Sequence, residues 1–351
     1  MKNPQHSTPT TAKARNLPAA LKLSVAAAAA LMLAGCGVGG PVDTEAAQAG
    51  NSGDKVLRLA HVYEAAHPVE TCGVDTIKEE LDGSGITVES YPAAQLGSEA
   101  ESLEQVASGG LDMAVAGPSF LGVWHEPAAV LDGAYLFEDV DHFAETIAGP
   151  QMQGVYDEME AETGIKVLSG WYYGTRHVTA NKEINGPEDM AGIKIRTPDA
   201  PLYLTNTKIM GGTATPMALD EVYLALQQGV IDAQENPIPT INTAKLHEVQ
   251  EYINLTGHMI QGVNIVTGSA LFESLDEGQR AALEGAMDAA AASVRECIET
   301  QEQEVLEEWK SGDGIKVNED VDREQFAQRA SEMLPSEVSW GDLYKEIQAS
   351  K

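Results

Sequence analysis

The residue with the clearest chemistry in this 351-residue chain is an arginine in the run Ile193-Lys194-Ile195-Arg196-Thr197-Pro198. The run alternates apolar and polar residues as a strand does, and it stops at a proline, which cannot donate to a ladder. A guanidinium fixed at such a strand end stays charged and presents a fork of N–H donors matched to a carboxylate. The chain around it carries a formal net charge of -32 at pH 7, so a structural salt bridge is the other reading of Arg196. Other reactive constellations are missing. No Walker A loop, HExxH or GxSxG occurs. His61, His67, His125, His142, His177, His247 and His258 are scattered without metal-ligand spacing, and acids are so abundant that no single pair stands out for acid–base work. The expectation is a binding protein with no catalytic residue, no metal and no cofactor.

The elements that must position Arg196 begin only after an export segment. Lys2, Lys13, Arg15 and Lys22 give a positive beginning, and the apolar run from Leu23 to Leu33 is too short to span a bilayer as a mature helix. Leu33-Ala34-Gly35-Cys36 resembles the bacterial lipobox. That resemblance implies cleavage after residue 35 and a diacylated Cys36 anchoring the protein to the outer face of a membrane. Removing residues 1–35 takes away four positive and no acidic side chains, so the charge moves from -32 to -36. Nucleic acid is excluded as a partner on that ground. Residues 36–54, with five glycines and three alanines and no apolar periodicity, read as a flexible tether. Two cysteines remain, Cys72 and Cys297, either bridged, as an oxidising compartment permits, or separate buried thiols.

Beyond the tether, short apolar strands alternate with amphipathic helices. Strands are expected at Val56–Ala60, Ile86–Val88 with Tyr91, and Met113–Val115, with a helix ending near Leu81 and another over Glu99–Ala107. This βαβαβ order favours a parallel sheet. A second set starts at Ile165–Leu168 and continues through the Arg196 strand, a helix over Met217–Gln228 and Ile231-Asp232. Thr215-Pro216 reads as N-cap and first helical residue of that helix, and Gly229 as its left-handed stop. Ser274 with Glu277 reads as a capping box opening a helix to Lys310, on the order of 50 Å long. Its face of Leu283, Met287, Ala290, Val294, Cys297 and Ile298 could brace two lobes, or the helix could kink into two ordinary core helices.

The order of motifs adds what composition cannot. Gly174-Thr175-Arg176, Lys194-Ile195-Arg196-Thr197-Pro198, Thr215-Pro216-Met217-Ala218, Glu221–Gln227 and Asp232-Ala233-Gln234-Glu235-Asn236-Pro237 follow one another. Earlier come Tyr91-Pro92, Gln95-Leu96-Gly97 and Gly109-Gly110-Leu111-Asp112. Together they resemble the DctP-type solute receptors of TRAP transporters, over nearly all of the mature chain. The resemblance implies an α/β fold of two lobes, like other periplasmic binding proteins, with a long helix spanning both. The lobes would be 55–173 plus 262–301, and 174–261 plus 302–351. It implies Arg196 as the carboxylate clamp, Arg176 as its assistant and Asn236 as a hydrogen-bonding neighbour. Glu99 falls on an acidic position that meets ligand hydroxyls, or is simply a helix N-terminal acid. Trp171 and Tyr172 offer an aromatic platform for a sugar ring, or core packing.

The implied partners are a small organic acid and separate membrane subunits, for a monomeric, lipid-anchored, extracytoplasmic receptor. The expected ligand is a uronate or similar sugar acid, with a C4 dicarboxylate or sialic acid as alternatives within the family. Val62, Gly117, Phe120 and Leu219 depart from the sialic acid branch. An exported enzyme acting on acidic sugars is the alternative outside it.

Overall fold

The computed structural model describes residues 53–350, so the export segment, Cys36 and nearly all of the tether lie outside the described residues. Nine strands form one sheet in the order β2-β1-β3-β8-β4-β7-β5-β6, with β9 beside β8. The strands are β1 (Lys55–Ala60), β2 (Ile86–Tyr91), β3 (Met113–Ala116), β4 (Ile165–Ala180), β5 (Lys194–Thr197), β6 (Thr213–Pro216), β7 (Ala233–Pro237), β8 (Tyr252–Gly268) and β9 (Lys316–Asn318). At one end β1 runs parallel to β2 and β3, and at the other β5 runs parallel to β6 and β7. Helical crossovers make both triplets, as the βαβ order requires.

Two long antiparallel strands join the triplets. The short strand expected at Ile165–Leu168 runs for 16 residues as β4, paired along its length with the 17 residues of β8. The end of β8, Asn264–Thr267, pairs with β3, and the end of β4, Arg176–Ala180, pairs with β7. Each long strand therefore belongs to both lobes. Register shifts interrupt the β4–β8 ladder at Val167/Ser169, Tyr172/Gly174 and Arg176/Val178, so the crossing segment is bulged where it passes between the triplets.

One helix, Glu277–Ser311, spans the lobes without a break. Leu283, Met287, Ala290, Val294 and Ile298 enter the core of the first lobe, while Val305 and Trp309 enter that of the second. Cys72 and Cys297 are joined in a disulfide that ties this helix to the segment Val69–Val74. The cap differs from expectation. Asp276 and Gln279 form the box, because Ser274 already ends the preceding helix Ser269–Glu273. Thr215-Pro216 also has another role: both lie in β6 beside Arg196 and Thr197, and the helix is only Val222–Gln227 after the turn Leu219–Glu221. A proline ends that strand without wasting a donor, while Gly229 takes the expected left-handed conformation at φ 68°. The C-terminal helix Gly341–Ala349, expected with the second lobe, packs on the first. Tyr344 is fully buried against Gly133 and donates its hydroxyl to Ala134 O at 2.7 Å.

Candidate ligand-binding site

The two triplets face one another across a cleft whose floor is the bulged crossing of β4. Arg196 reaches it from β5, with β6 on one side and β7 on the other. Its side chain is 3% exposed, and Nε and Nη2 donate to Met217 O at 3.0 and 2.8 Å. Met217 supplies that acceptor because β6 ends at Pro216 and turns there. Nη1 and the second hydrogen of Nη2 remain for a ligand, and no carboxylate among the described residues forms an ion pair with Arg196. Burial, countered by Glu235, draws its guanidinium down to about 10, as expected of a cation lacking a close counter-charge.

Arg176 sits nearby with its donors engaged. Nε donates to Glu235 Oε2 at 2.5 Å, Nη2 to Glu235 Oε1 at 2.8 Å, and Nη1 to Gln261 Oε1 at 2.7 Å. His258 Nε2 lies 3.1 Å from Glu235 Oε2. Burial would raise the Glu235 carboxyl, but Arg176 outweighs it and holds Glu235 at about 2. The same burial keeps His258 below the usual histidine range despite Glu235. Arg176 is thus a neutralised element of the wall, with at most one N–H to offer.

From the first lobe comes Glu99, at the start of the helix Glu99–Ser108. Ser98 and Glu101 form that helix's capping box, so Glu99 is not needed as a cap. Its Oε1 accepts the Gly117 N–H at 3.0 Å, and burial pushes the carboxyl up to about 7, against the pull of Gly117 and Arg196. Asn236 lines the cleft from β7, donating to Gln234 Oε1 at 2.7 Å. The structure thus gathers Arg196, Arg176, Asn236 and Glu99 around one cavity. That cavity measures about 20 Å³, room for about one water, so the lobes are closed on each other.

Trp171 is not there. Its ring is fully buried against Gly73 and Val294, in the core under the long helix. Tyr172 turns away as well, donating to Glu302 Oε2 at 2.9 Å. Tyr173 reaches the cleft instead. It is the extra residue of the bulge between Tyr172↔Gly262 and Gly174↔Gln261, which re-aims it. Gly174 beside it takes φ +128°, and a Cβ there would fall 2.6 Å from Pro237 Cβ. Tyr173 packs at a tilt against Tyr63, ring centroids 4.9 Å apart, and its hydroxyl meets Thr240, which His67 Nε2 also approaches at 3.1 Å. His67 and Thr240 thus bridge the lobes behind the cleft. Tyr63, Tyr173, Tyr203 and Gln261 are cleft residues that sequence reasoning missed, as are Glu235 and His258 behind them. Only Glu235 carried a signal, inside the quoted run Asp232–Pro237.

Residues 73–340 match the DctP family, bacterial extracellular solute-binding protein, family 7. The chain belongs to that family. It is 35% identical over 243 residues to the sialic acid-binding periplasmic protein SiaP of Vibrio cholerae, covering 69% of this chain and 75% of that protein. To the 2,3-diketo-L-gulonate-binding periplasmic protein YiaO of Escherichia coli it is 29% identical over 279 residues, 78% of this chain and 84% of YiaO. A TRAP periplasmic solute binding protein of Roseobacter denitrificans, solved with 3-deoxy-D-manno-oct-2-ulosonic acid, aligns with a TM-score of 0.80 at 28% identity. That alignment covers 84% of this chain and 99% of the other. Another from the same organism, with bound L-galactonate, gives 0.79 at 27% identity over 84% and 99% of the two chains. This DctP-family protein is therefore a two-lobed extracytoplasmic solute receptor of a TRAP transporter, not an enzyme, and works with that transporter's membrane subunits. Among the described residues no helix is long and apolar enough to cross a membrane.

Proposed function

We propose that this receptor binds a sugar acid, a uronate or a close relative, through a salt bridge between its carboxylate and Arg196. The observation that carries the reading is a buried guanidinium whose terminal nitrogens have no counter-anion, set in a cleft that also presents tyrosine hydroxyls, the amides of Asn236 and Gln261 and the carboxyl of Glu99. A ligand carboxylate completes a bidentate pair there. Asn236 and the Tyr173 hydroxyl adjoin that pair, and Glu99 accepts from ligand hydroxyls further along the cleft. Sugar acids in relatives of similar architecture support this class. Val62, Gly117 and Leu219 line the cleft with little polar reach, which favours a shorter acid over the nine-carbon one. With only about 20 Å³ free, the ligand enters an open form and is enclosed as the lobes close.

The mature protein is a monomer that starts at a diacylated Cys36 and is held at the outer face of a membrane. The lobe limits are 55–173 with 262–301, and 174–261 with 302 onward, except that the C-terminal helix docks on the first lobe. Cys36→Ala should release the protein from the membrane fraction; retention of the variant refutes lipid anchoring as the sole attachment.

The binding proposal is tested by a thermal-shift panel of uronates, aldonates, sialic acid, C4 dicarboxylates and neutral sugars. Binding to the native state alone raises the melting temperature. A shift given by a sugar acid and lost in Arg196→Ala supports the reading. A shift from neutral sugars only, or one that survives Arg196→Ala, overturns it.

A further inference from the structure

The charges around the cleft decide how many carboxylates a ligand brings. Two guanidinium groups line it, but Glu235 already neutralises Arg176 through a double contact. Arg196 is then the one lining cation among the described residues without a counter-charge. The rest of the lining offers no second cation and does offer a carboxyl, Glu99, which burial raises to about 7 and which is an anion above that pH. Glu99 forms no ion pair with either arginine, and its Oε2 has no partner among the described residues. Asp132 lies behind the wall at Gly117, fully buried, held by the Ser119 N–H and hydroxyl at 2.8 and 2.6 Å and by Gln261 Nε2 at 3.0 Å. A Cβ added at Gly117 would come within 3.8 Å of Asp132 Oδ2, so the acid stands just beneath the cleft surface.

We propose that Glu99 is a charge filter that confines this receptor to monocarboxylates. The first carboxylate of a ligand pairs with Arg196. A second one on the same ligand is stripped of water beside Glu99, above Asp132, with no cation to receive it. Burying an unpaired charge against like charges costs several kcal/mol, whereas a hydroxyl in that place donates to Glu99 and gains a hydrogen bond. Discrimination comes from an element set against the wrong ligand as well as from contacts to the right one. The inference rests on the sugar-acid reading above and narrows it: aldonates and uronates are accepted, aldarates and C4 dicarboxylates refused.

The experiment is calorimetric titration of the purified protein, buffered well above the value of about 7 to which burial raises Glu99, with matched pairs, L-galactonate against galactarate and D-erythronate against meso-tartrate. Within each pair the carbon chain is the same and one terminal CH₂OH has become a carboxylate. The expected result is that the monocarboxylate binds at least ~100-fold more tightly than its partner. Glu99→Gln, which keeps the size and removes the charge, should narrow that gap by ~10-fold or more. The filter is overturned if the wild-type protein binds the aldarate as well as the aldonate. It is equally overturned if Glu99→Gln still binds the monocarboxylate and leaves the gap unchanged. A protein that ignores both members of each pair but is stabilised by a neutral sugar contradicts the sugar-acid reading itself, and the two failures are thereby told apart.

Discussion

Arg196 on β5 and Arg176 on β4 stand on either side of β7 in one sheet, 3% and 2% exposed, and their guanidinium groups serve opposite ends. Around Arg176 the fold supplies its own anion: Glu235 on β7 meets it twice, and Gln261 takes a third donor. Around Arg196 it supplies a backbone carbonyl, Met217 O, which fixes the side chain without neutralising it. A buried arginine is thus no signature of a ligand. What marks one is charge that the protein positions and leaves unpaired, because a bound carboxylate gains there what folding did not already take. Burial follows the same division in its effect on the two groups, lowering Arg196 while Glu235 raises Arg176 against it.

The largest expected effect breaks the comparison on the Arg176 side. Glu235→Gln strands Arg176 in a dry wall, and removing one partner of a buried pair costs about 3–5 kcal/mol. Chemical denaturation should show a loss of that size, and a double variant, Arg176→Met with Glu235→Met, should recover part of it. On the other side, Arg196→Ala should weaken sugar-acid binding by ~100-fold or more, about 3 kcal/mol. Its denaturation midpoint should stay at or above that of the wild type, since the deleted charge had no partner. If Arg196→Ala unfolds the protein while Glu235→Gln leaves it stable, the roles given to the two arginines are reversed.

How much of this division is legible in the sequence depends on the distance over which each feature is decided. The first parallel triplet, the long helix and the strand that carries Arg196 follow from local periodicity, and the sequence reading places them within a few residues. The anion count does not, since Glu235 pairs with Arg176 across 59 positions and Gln261 across 85. Trp171 and Tyr173 show the same limit. A single bulge decides which aromatic faces the cleft, and it arises from the register of β4 against β8, which neither segment specifies alone. Likewise Thr215-Pro216 fits a helix start by local rules, but becomes a strand because β5 offers it a parallel partner.

The smallest effect sharpens the comparison by moving it from arginines to carboxyls. Glu235 has a cation and is held at about 2; Glu302, on the long helix, has none among the described residues. Glu302 accepts the Thr175 N–H at 2.7 Å and the Tyr172 hydroxyl at 2.9 Å, pinning the bulge of β4. Burial nonetheless pushes its carboxyl from its usual 4.5 to about 7. A carboxyl raised in the folded state holds its proton longer there than in the unfolded chain. Its contribution to stability is therefore fully present below pH 4.5 and lost as pH climbs toward 7. Glu99 acts with the same sign, whereas His67 and His177, buried and lowered to about 3, add stability as pH rises from about 3 to 6.5. The wild-type profile mixes these slopes, so the informative quantity is the difference between wild type and Glu302→Gln. That difference should shift steadily in favour of the variant between pH 4.5 and 7 and level off above it, as read from denaturation midpoints across that range. A difference that does not change with pH would mean that Glu302 is as well compensated as Glu235, and that the hinge side of the molecule hides a partner for it.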